Sequence, residues 1–267
     1  MVATYEVFAI RYAHLERTAR FNFVGGDEHD GPMPLDYYVW AICNEQRTVI
    51  VDTGFDQDTA RRRNRQLVRP VADGLTAIGI APDEVEHIVI SHMHYDHAGN
   101  HDLFPRARYH VQDAEMAYCT GRRMAEAEVG GVFDAGSVAA MVQKVFTGRV
   151  QFHDGDTELA PGITLHKVGG HTRGMQVVRV ATQRGWVVLG SDSAHFYANI
   201  DPGRPFPIFD DMKAYVEAQR TALRLATSPE HFIPGHDPLV CARYPGAKPG
   251  LEDIVRLDLP PQSKGST

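Results

Sequence analysis

A chain of 267 residues with 43% hydrophobic and 23% charged side chains can bury a full core, in one domain or in two similar halves. Its net charge of -7 and pI of about 6.0 exclude a global field that attracts nucleic acid or anionic membrane, and no apolar run approaches a membrane span. Cys43, Cys119 and Cys241 lie far apart without a C-x-x-C, and Glu6, Arg11, Glu16 and Arg17 interrupt any secretory segment, so reduced thiols in a cytoplasmic protein are expected.

Alternation predicts a first strand over residues 4–10. Phe21-Asn22-Phe23 and Met33 are candidates for an apolar wall or flap over a pocket, while Gly25-Gly26 has no following helix pattern and is not a phosphate loop. Residues 37–43 and 48–51 read as two strands joined by the polar turn Asn44-Glu45-Gln46. The run Arg61-Arg62-Arg63-Asn64-Arg65 reads as a solvated helix face. A short buried strand over 86–91 runs directly into a histidine-rich loop, and another strand is expected over 107–111. Period 3.6 predicts a helix over 134–146, with Val138, Met141, Val142 and Val145 on one face. A strand over 163–168 ends in Gly169-Gly170-His171. A hairpin of 176–180 and 186–189 ends in Gly190-Ser191-Asp192. An amphipathic helix over 210–226 turns Met212, Tyr215, Ala222 and Leu225 inward, and a strand over 231–233 ends in Pro234-Gly235-His236. A polar tail over about 258–267, frayed from residue 260, closes the chain. Short apolar strands thus end repeatedly in loops bearing His or Asp. The mix predicts an α/β fold of two sheets packed face to face with helices outside, in which loops at one edge converge on a single site.

Histidine is over-represented at 14 residues, and the densest stretch is Ser91-His92-Met93-His94-Tyr95-Asp96-His97. Packing that many polar groups beside a buried strand without a cation would leave them unsatisfied. His and Asp suit a borderline divalent ion. In an extended loop His92 and His94 point the same way, and Asp96 and His97 turn toward a neighbouring position. Two metals fit this arrangement better than one.

The run resembles the H-x-H-x-D-H hallmark of the metallo-β-lactamase superfamily. Val51-Asp52-Thr53-Gly54 is similar to that family's D-T-G turn, Gly170-His171-Thr172 to its G-H-[TS] segment, Gly190-Ser191-Asp192 to the bridging aspartate and Pro234-Gly235-His236-Asp237 to the last histidine. The resemblance spans nearly the whole chain and implies one domain over 1–267, an αβ/βα sandwich of two mixed sheets. It implies that His92, His94 and His171 bind one metal, that Asp96, His97 and His236 bind the other, and that Asp192 bridges them. A metal-bridging hydroxide would be the nucleophile, Zn²⁺ the default ion, with Mn²⁺, Fe²⁺ or Co²⁺ also suited. Asp52 would orient a ligand or its loop.

Within the superfamily the best match is the N-acyl homoserine lactonase-like group, with 21 residues from His171 to Asp192 and 44 from Asp192 to His236. Secreted zinc β-lactamases place Cys where Asp192 stands, and RNA-processing members usually add basic surfaces or large insertions. The resemblance therefore implies opening of a lactone ring, an N-acyl homoserine lactone (and with it quorum quenching) or another small lactone, and allows a homodimer. Asp96 and His195 are the implied catalytic groups; Tyr95, His195, Tyr197 and Phe23 the candidate substrate contacts. His195 stands where lactonases of this group often carry Tyr, and it either replaces that residue or leaves the role to Tyr197. A glyoxalase II-like thioester hydrolase or a persulfide dioxygenase is the alternative, and a nuclease a more distant one.

Overall fold

The computed structural model describes residues 3–200 and 203–262. In the first sheet β1 (Glu6–Leu15), β2 (Leu35–Asn44), β3 (Arg47–Val51), β5 (His87–Val89), β6 (Arg108–Gln112) and β7 (Val150–His153) follow one another, with β13 (Ile254–Arg256) outside β1 and the two-residue β4 (Gln66–Leu67) also pairing β1. The second sheet runs β12 (Phe232–Pro234), β11 (Gly185–Ser191), β10 (Gln176–Thr182), β9 (Ile163–Lys167) and β8 (Thr157–Ala160). Both sheets are mixed: β1, β2 and β3 pair antiparallel, β3, β5, β6 and β7 parallel, and β11 pairs β12 parallel.

Alternation along each strand sorts side chains between layers. Val7 and Ala9 of β1, Trp40 and Ile42 of β2, and Val49 and Val51 of β3 meet Leu165, Val178, Val180 and Leu189 in the core between the sheets. Their neighbours Ile10, Val39, Ile50, Ile88 and Tyr109 face the other way, into a core with Leu75 and Met141. Leu75 belongs to α2 (Val71–Ala77), which follows α1 (Gln57–Arg62). Met141 belongs to α5 (Ala135–Phe146), which is preceded by α3 (Asp113–Cys119) and α4 (Ala127–Gly130). On the far side, Val177, Val188 and Phe232 pack with Ala222 of α6 (Met212–Leu225), and α7 (Leu239–Arg243) follows β12. The layers are therefore helix, sheet, sheet, helix, as expected from the sequence. Among the described residues no helix is long and apolar enough to cross a membrane.

The expected helices over 134–146 and 210–226 form with Asp134 and Asp211 as N-caps, each carboxylate accepting the backbone N–H three residues on. Val138, Val142 and Val145 are only half-buried beside Met141. On α6 the buried stripe is Tyr215, Ala218, Gln219 and Ala222, with Met212 and Leu225 at its half-buried margins. The first strand runs to Leu15, five residues beyond its expected end. Beyond residue 262 the expected frayed tail lies outside the described residues.

The parallel pairings fix where the site forms. β3 and β5 end side by side, as do β11 and β12, so the loops after Val51, Val89, Ser191 and Pro234 leave at neighbouring strand ends. Gln176 N–H donates to the Ser91 carbonyl (2.9 Å), tying the start of β10 to the histidine loop of the other sheet.

Candidate metal centre

Six side chains from the loops after Val89, Ser191 and Pro234, joined by His171 from the loop between β9 and β10, meet within a buried pocket. His92, His94, His171 and Asp192 form one group and Asp96, His97 and His236 another, the potential ligand atoms of each group lying within 4.8 Å of one another. None of the seven is more than 8% exposed. Asp192 stands between the groups. Its Oδ2 lies 3.1 Å from His171 Nε2 and 3.7 Å from His92 Nε2, while its Oδ1 lies 3.4 Å from His97 Nε2 and 3.0 Å from His236 Nε2. Asp96 Oδ2 is 3.6 Å from His97 Nε2 and 3.7 Å from His236 Nε2. Ligands about 2.0–2.1 Å from a tetrahedral ion stand about 3.3 Å apart, so these separations suit two ions with one carboxylate oxygen directed at each.

The remaining polar atoms agree with that assignment. His92 Nε2, His97 Nε2 and Asp192 Oδ1 are buried without a hydrogen-bond partner, a costly arrangement unless a cation satisfies them. The opposite ring nitrogens are held. His92 Nδ1 is 3.1 Å from Ser91 Oγ, and His97 Nδ1 is 2.7 Å from Asp52 Oδ2. His171 Nδ1 is 2.8 Å from the Ile208 carbonyl, and His236 Nδ1 2.8 Å from the Asp36 carbonyl. Each contact fixes a tautomer that turns a lone pair toward the centre.

Burial, reinforced by neighbouring histidines, holds His92 and His94 neutral, well below their ordinary titration range. Burial also opposes protonation of His97, but Asp192, Asp96 and Asp52 outweigh it and raise His97 well above that range. For Asp192, burial opposes ionisation, and the histidines led by His195 and His236 overcome it, keeping the carboxylate well below its usual range.

Asp52 does more than end a strand. Its carboxylate accepts from Ser91 N–H, Ser91 Oγ and His97 Nδ1, all at 2.7 Å, while its backbone sits at φ +62°. Ser191, before Asp192, is also left-handed at φ +42°. Two non-glycine residues in this sparsely populated region flank the centre and are held there by the surrounding packing. Gly235 makes room for the bridging position, since a Cβ there would lie 2.6 Å from Asp192 Oδ1.

Sequence reasoning missed Glu115. From α3 it reaches into the interior and accepts from Met93 N–H (2.8 Å), Thr172 Oγ1 (2.6 Å) and Gly174 N–H (3.0 Å), so it clamps the loop of His92 and His94 to the loop of His171. No local pattern announces it, because all three partners are distant in sequence.

A cleft of about 100 Å³ opens over the centre, lined in part by Leu35, Tyr37, Tyr95, Val132, His195, Phe206 and Ile208. Tyr95 is at the cleft as expected, its hydroxyl 3.2 Å from that of Tyr37. His195 is there too. Its Nε2 lies 3.1 Å from Asp192 Oδ2, its ring stacks on Phe206 with centroids 3.5 Å apart, and its Nδ1 is buried without a partner. Burial pushes His195 down to about 3, against the pull of Asp192.

Two expected contacts are not brought to the cleft. Phe23 is buried beneath the Arg204 guanidinium, 3.8 Å from its ring centre, and Tyr197 lies beneath Arg243 at 4.3 Å. Phe21 is 52% exposed, and Met33 packs against the helix-side core, so the wall reading of that segment does not hold either. Arg17, between β1 and that segment, is the residue that reaches the cleft. The arginine run needs a second correction. Asn64, at φ +53°, ends α1 in the left-handed conformation of a helix stop. Only Arg61 and Arg62 stay on an exposed face; Arg63 and Arg65 turn to the cleft, with the Arg63 guanidinium 3.9 Å above the Tyr95 ring.

A family model described as the metallo-beta-lactamase superfamily matches residues 33–236. An N-acyl homoserine lactonase of Bacillus cereus is 23% identical over 218 residues, 76% of this chain and 82% of the relative. A quorum-quenching N-acyl homoserine lactone lactonase superposes with a TM-score of 0.73 at 20% identity, over 90% of this chain and 95% of that one. AidC, a dizinc quorum-quenching lactonase solved with N-hexanoyl-homoserine product, gives 0.70 at 15% identity over 89% of each chain.

Proposed function

Because the chain belongs to the metallo-beta-lactamase superfamily, we propose that it is a two-metal hydrolase that opens a lactone ring. The observation that carries this reading is Asp192, whose two oxygens face two separate groups of buried ligands. His92, His94 and His171 would hold one ion, Asp96, His97 and His236 the other, and Asp192 both. Neutral imidazoles with two carboxylates suit Zn²⁺, and also Mn²⁺, Fe²⁺ or Co²⁺. Two such ions, when bound, supply hydroxide near neutral pH and polarise an acyl carbonyl.

The chain's own groups then divide the work. Asp96 lies in the cleft lining and is the group assigned to carry the proton toward the departing ring oxygen. His195, a neutral imidazole whose Nε2–H faces Asp192 Oδ2, would donate from that same nitrogen to the ring oxygen or to the carbonyl, in the place where lactonases of this group often carry Tyr. Tyr95, also in the cleft lining, would offer a hydroxyl to the acyl group. Leu35, Val132, Phe206 and Ile208 give the ring an apolar seat and keep bulk water away. The lactonase relatives support a lactone over other acyl compounds.

The deciding assay is proton release by zinc-loaded protein on acyl homoserine lactones, plain γ- and δ-lactones, aromatic-fused lactones and S-lactoylglutathione. Acid production with a lactone, abolished by a chelator, is the expected result. Silence on every lactone with turnover of the thioester would replace this reading with the glyoxalase II-like one.

A further inference from the structure

Three guanidiniums, those of Arg17, Arg63 and Arg65, border the cleft that holds the metal ligands. Their hydrogen bonds go to uncharged partners. Arg17 donates to the Phe21 carbonyl, Arg63 to the Gly131 and Phe133 carbonyls, and Arg65 to the Tyr95 hydroxyl at 3.0 Å and to backbone carbonyls. Among the described residues none of the three forms an ion pair, although arginines elsewhere do: Arg61 with Asp58 at 3.0 Å, Arg11 with Asp36 at 3.3 Å and Arg69 with Asp253 at 2.7 Å. Arg17 Nε is buried without a hydrogen-bond partner, its guanidinium lying 5.4 Å from the Phe206 ring centre.

Burial, and then Arg65 despite Tyr37, lowers Arg17 below its ordinary range, whereas for Arg65 burial is outweighed by Tyr37, Tyr95 and Asp96, which raise it. The ligands do not call for these arginines. Two divalent ions set against Asp96 and Asp192 would already leave the centre positive. Nor do their contacts use every donor: Arg17 donates only to the Phe21 carbonyl, and Arg65, held through Nε and Nη1 by the Tyr95 hydroxyl and the Arg63 and Asn64 carbonyls, makes no hydrogen bond from Nη2 among the described residues. Guanidinium groups with free donors at the rim of a partly desolvated cleft are suited to bind carboxylate or phosphate oxygens.

We infer that Arg17 and Arg65 form a subsite for an anionic group, carboxylate or phosphate, carried by the substrate beside its scissile acyl bond. The inference rests on the hydrolase reading of this cleft and narrows it, favouring a charged lactone over a neutral N-acyl one.

Matched γ-lactones bearing a side-chain carboxylate, phosphate monoester or neutral amide test it, with zinc-loaded wild type, Arg17→Gln, Arg65→Gln and Arg65→Lys and the zinc content of each measured. One of the anionic lactones should exceed the amide in kcat/KM by about ten-fold or more, chiefly through KM. That ratio should fall toward one in both Gln variants and recover in part in Arg65→Lys, and the better anion identifies the group. Equal kcat/KM for charged and neutral lactones, or a preference unchanged in both Gln variants, overturns the inference. If no lactone is turned over, the lactonase reading fails by itself, and calorimetry with succinate and inorganic phosphate decides the anion site. Binding about ten-fold weaker in Arg17→Gln supports it, and equal binding overturns it.

Discussion

At the scale of single residues, the centre depends on groups that are not candidate ligands themselves but hold the residues that are. Asp52 fixes His97 through Nδ1 and ties down Ser91, which in turn steadies His92. An Asp52→Asn side chain keeps the size and can still accept from Ser91, but its amide cannot serve every donor now directed at the carboxylate. Loss of a partner that orients a ligand typically lowers metal affinity by about 10–100-fold. Competition with a chelator dye should show that loss for the variant, first at the ion held by His97; unchanged affinity for both ions would remove Asp52 from this role. Its motif was legible, because a D-T-G turn after a strand is a local pattern. Glu115 was not, because its three partners come from residues 93, 172 and 174.

At the scale of elements, the loop carrying His171 is seated on α6. Gly170 has φ +86°, and a Cβ there would lie 2.4 Å from Tyr215 Cα. Gly170→Ala therefore combines a left-handed backbone with a collision against helix backbone, which together are worth on the order of 2–4 kcal/mol. Urea unfolding should record a loss of that size, accompanied by weaker zinc binding as His171 is displaced. A loss below about 0.5 kcal/mol, the range of an ordinary surface change, would mean that the loop and helix are not tightly coupled. Period and caps made α5 and α6 readable from sequence. The short α1 was misread as a longer basic face, because Asn64 as a helix stop is a weaker signal than glycine.

Stability of the whole molecule should depend on acid through buried histidines outside the ligand set. His87, His110 and His153, from adjacent strands β5, β6 and β7, form a linked column with ring-nitrogen contacts of 3.1 and 3.0 Å. Burial, then His153, His87 and Arg108, lowers His110 to about 3; burial, aided by Lys144, lowers His101 to about 4. A histidine held neutral in the fold takes up its proton more readily in the unfolded chain. Stability is therefore full above the unfolded value of about 6.5 and declines as pH falls below it, toward the lowered folded values. The urea midpoint of zinc-saturated protein should drop between pH 7 and pH 5, and His110→Gln should make the drop shallower. An identical drop in the variant would assign the acid sensitivity elsewhere.

The sequence alone determined the layered α/β architecture and the seven candidate ligands, since both are written in short-range patterns: alternation, helical period, and polar residues directly after strands. Tertiary structure alone decided what surrounds them. The register of parallel strands brought Asp192 between two ligand groups, side-chain reach from α3 placed Glu115 beneath the loops, and packing covered Phe23 and Tyr197. Arg17 and Arg65 reach one cleft from segments that sequence cannot juxtapose. Their proximity depends on where the chain folds back, and that is set by burial across the whole core rather than by any neighbour in sequence.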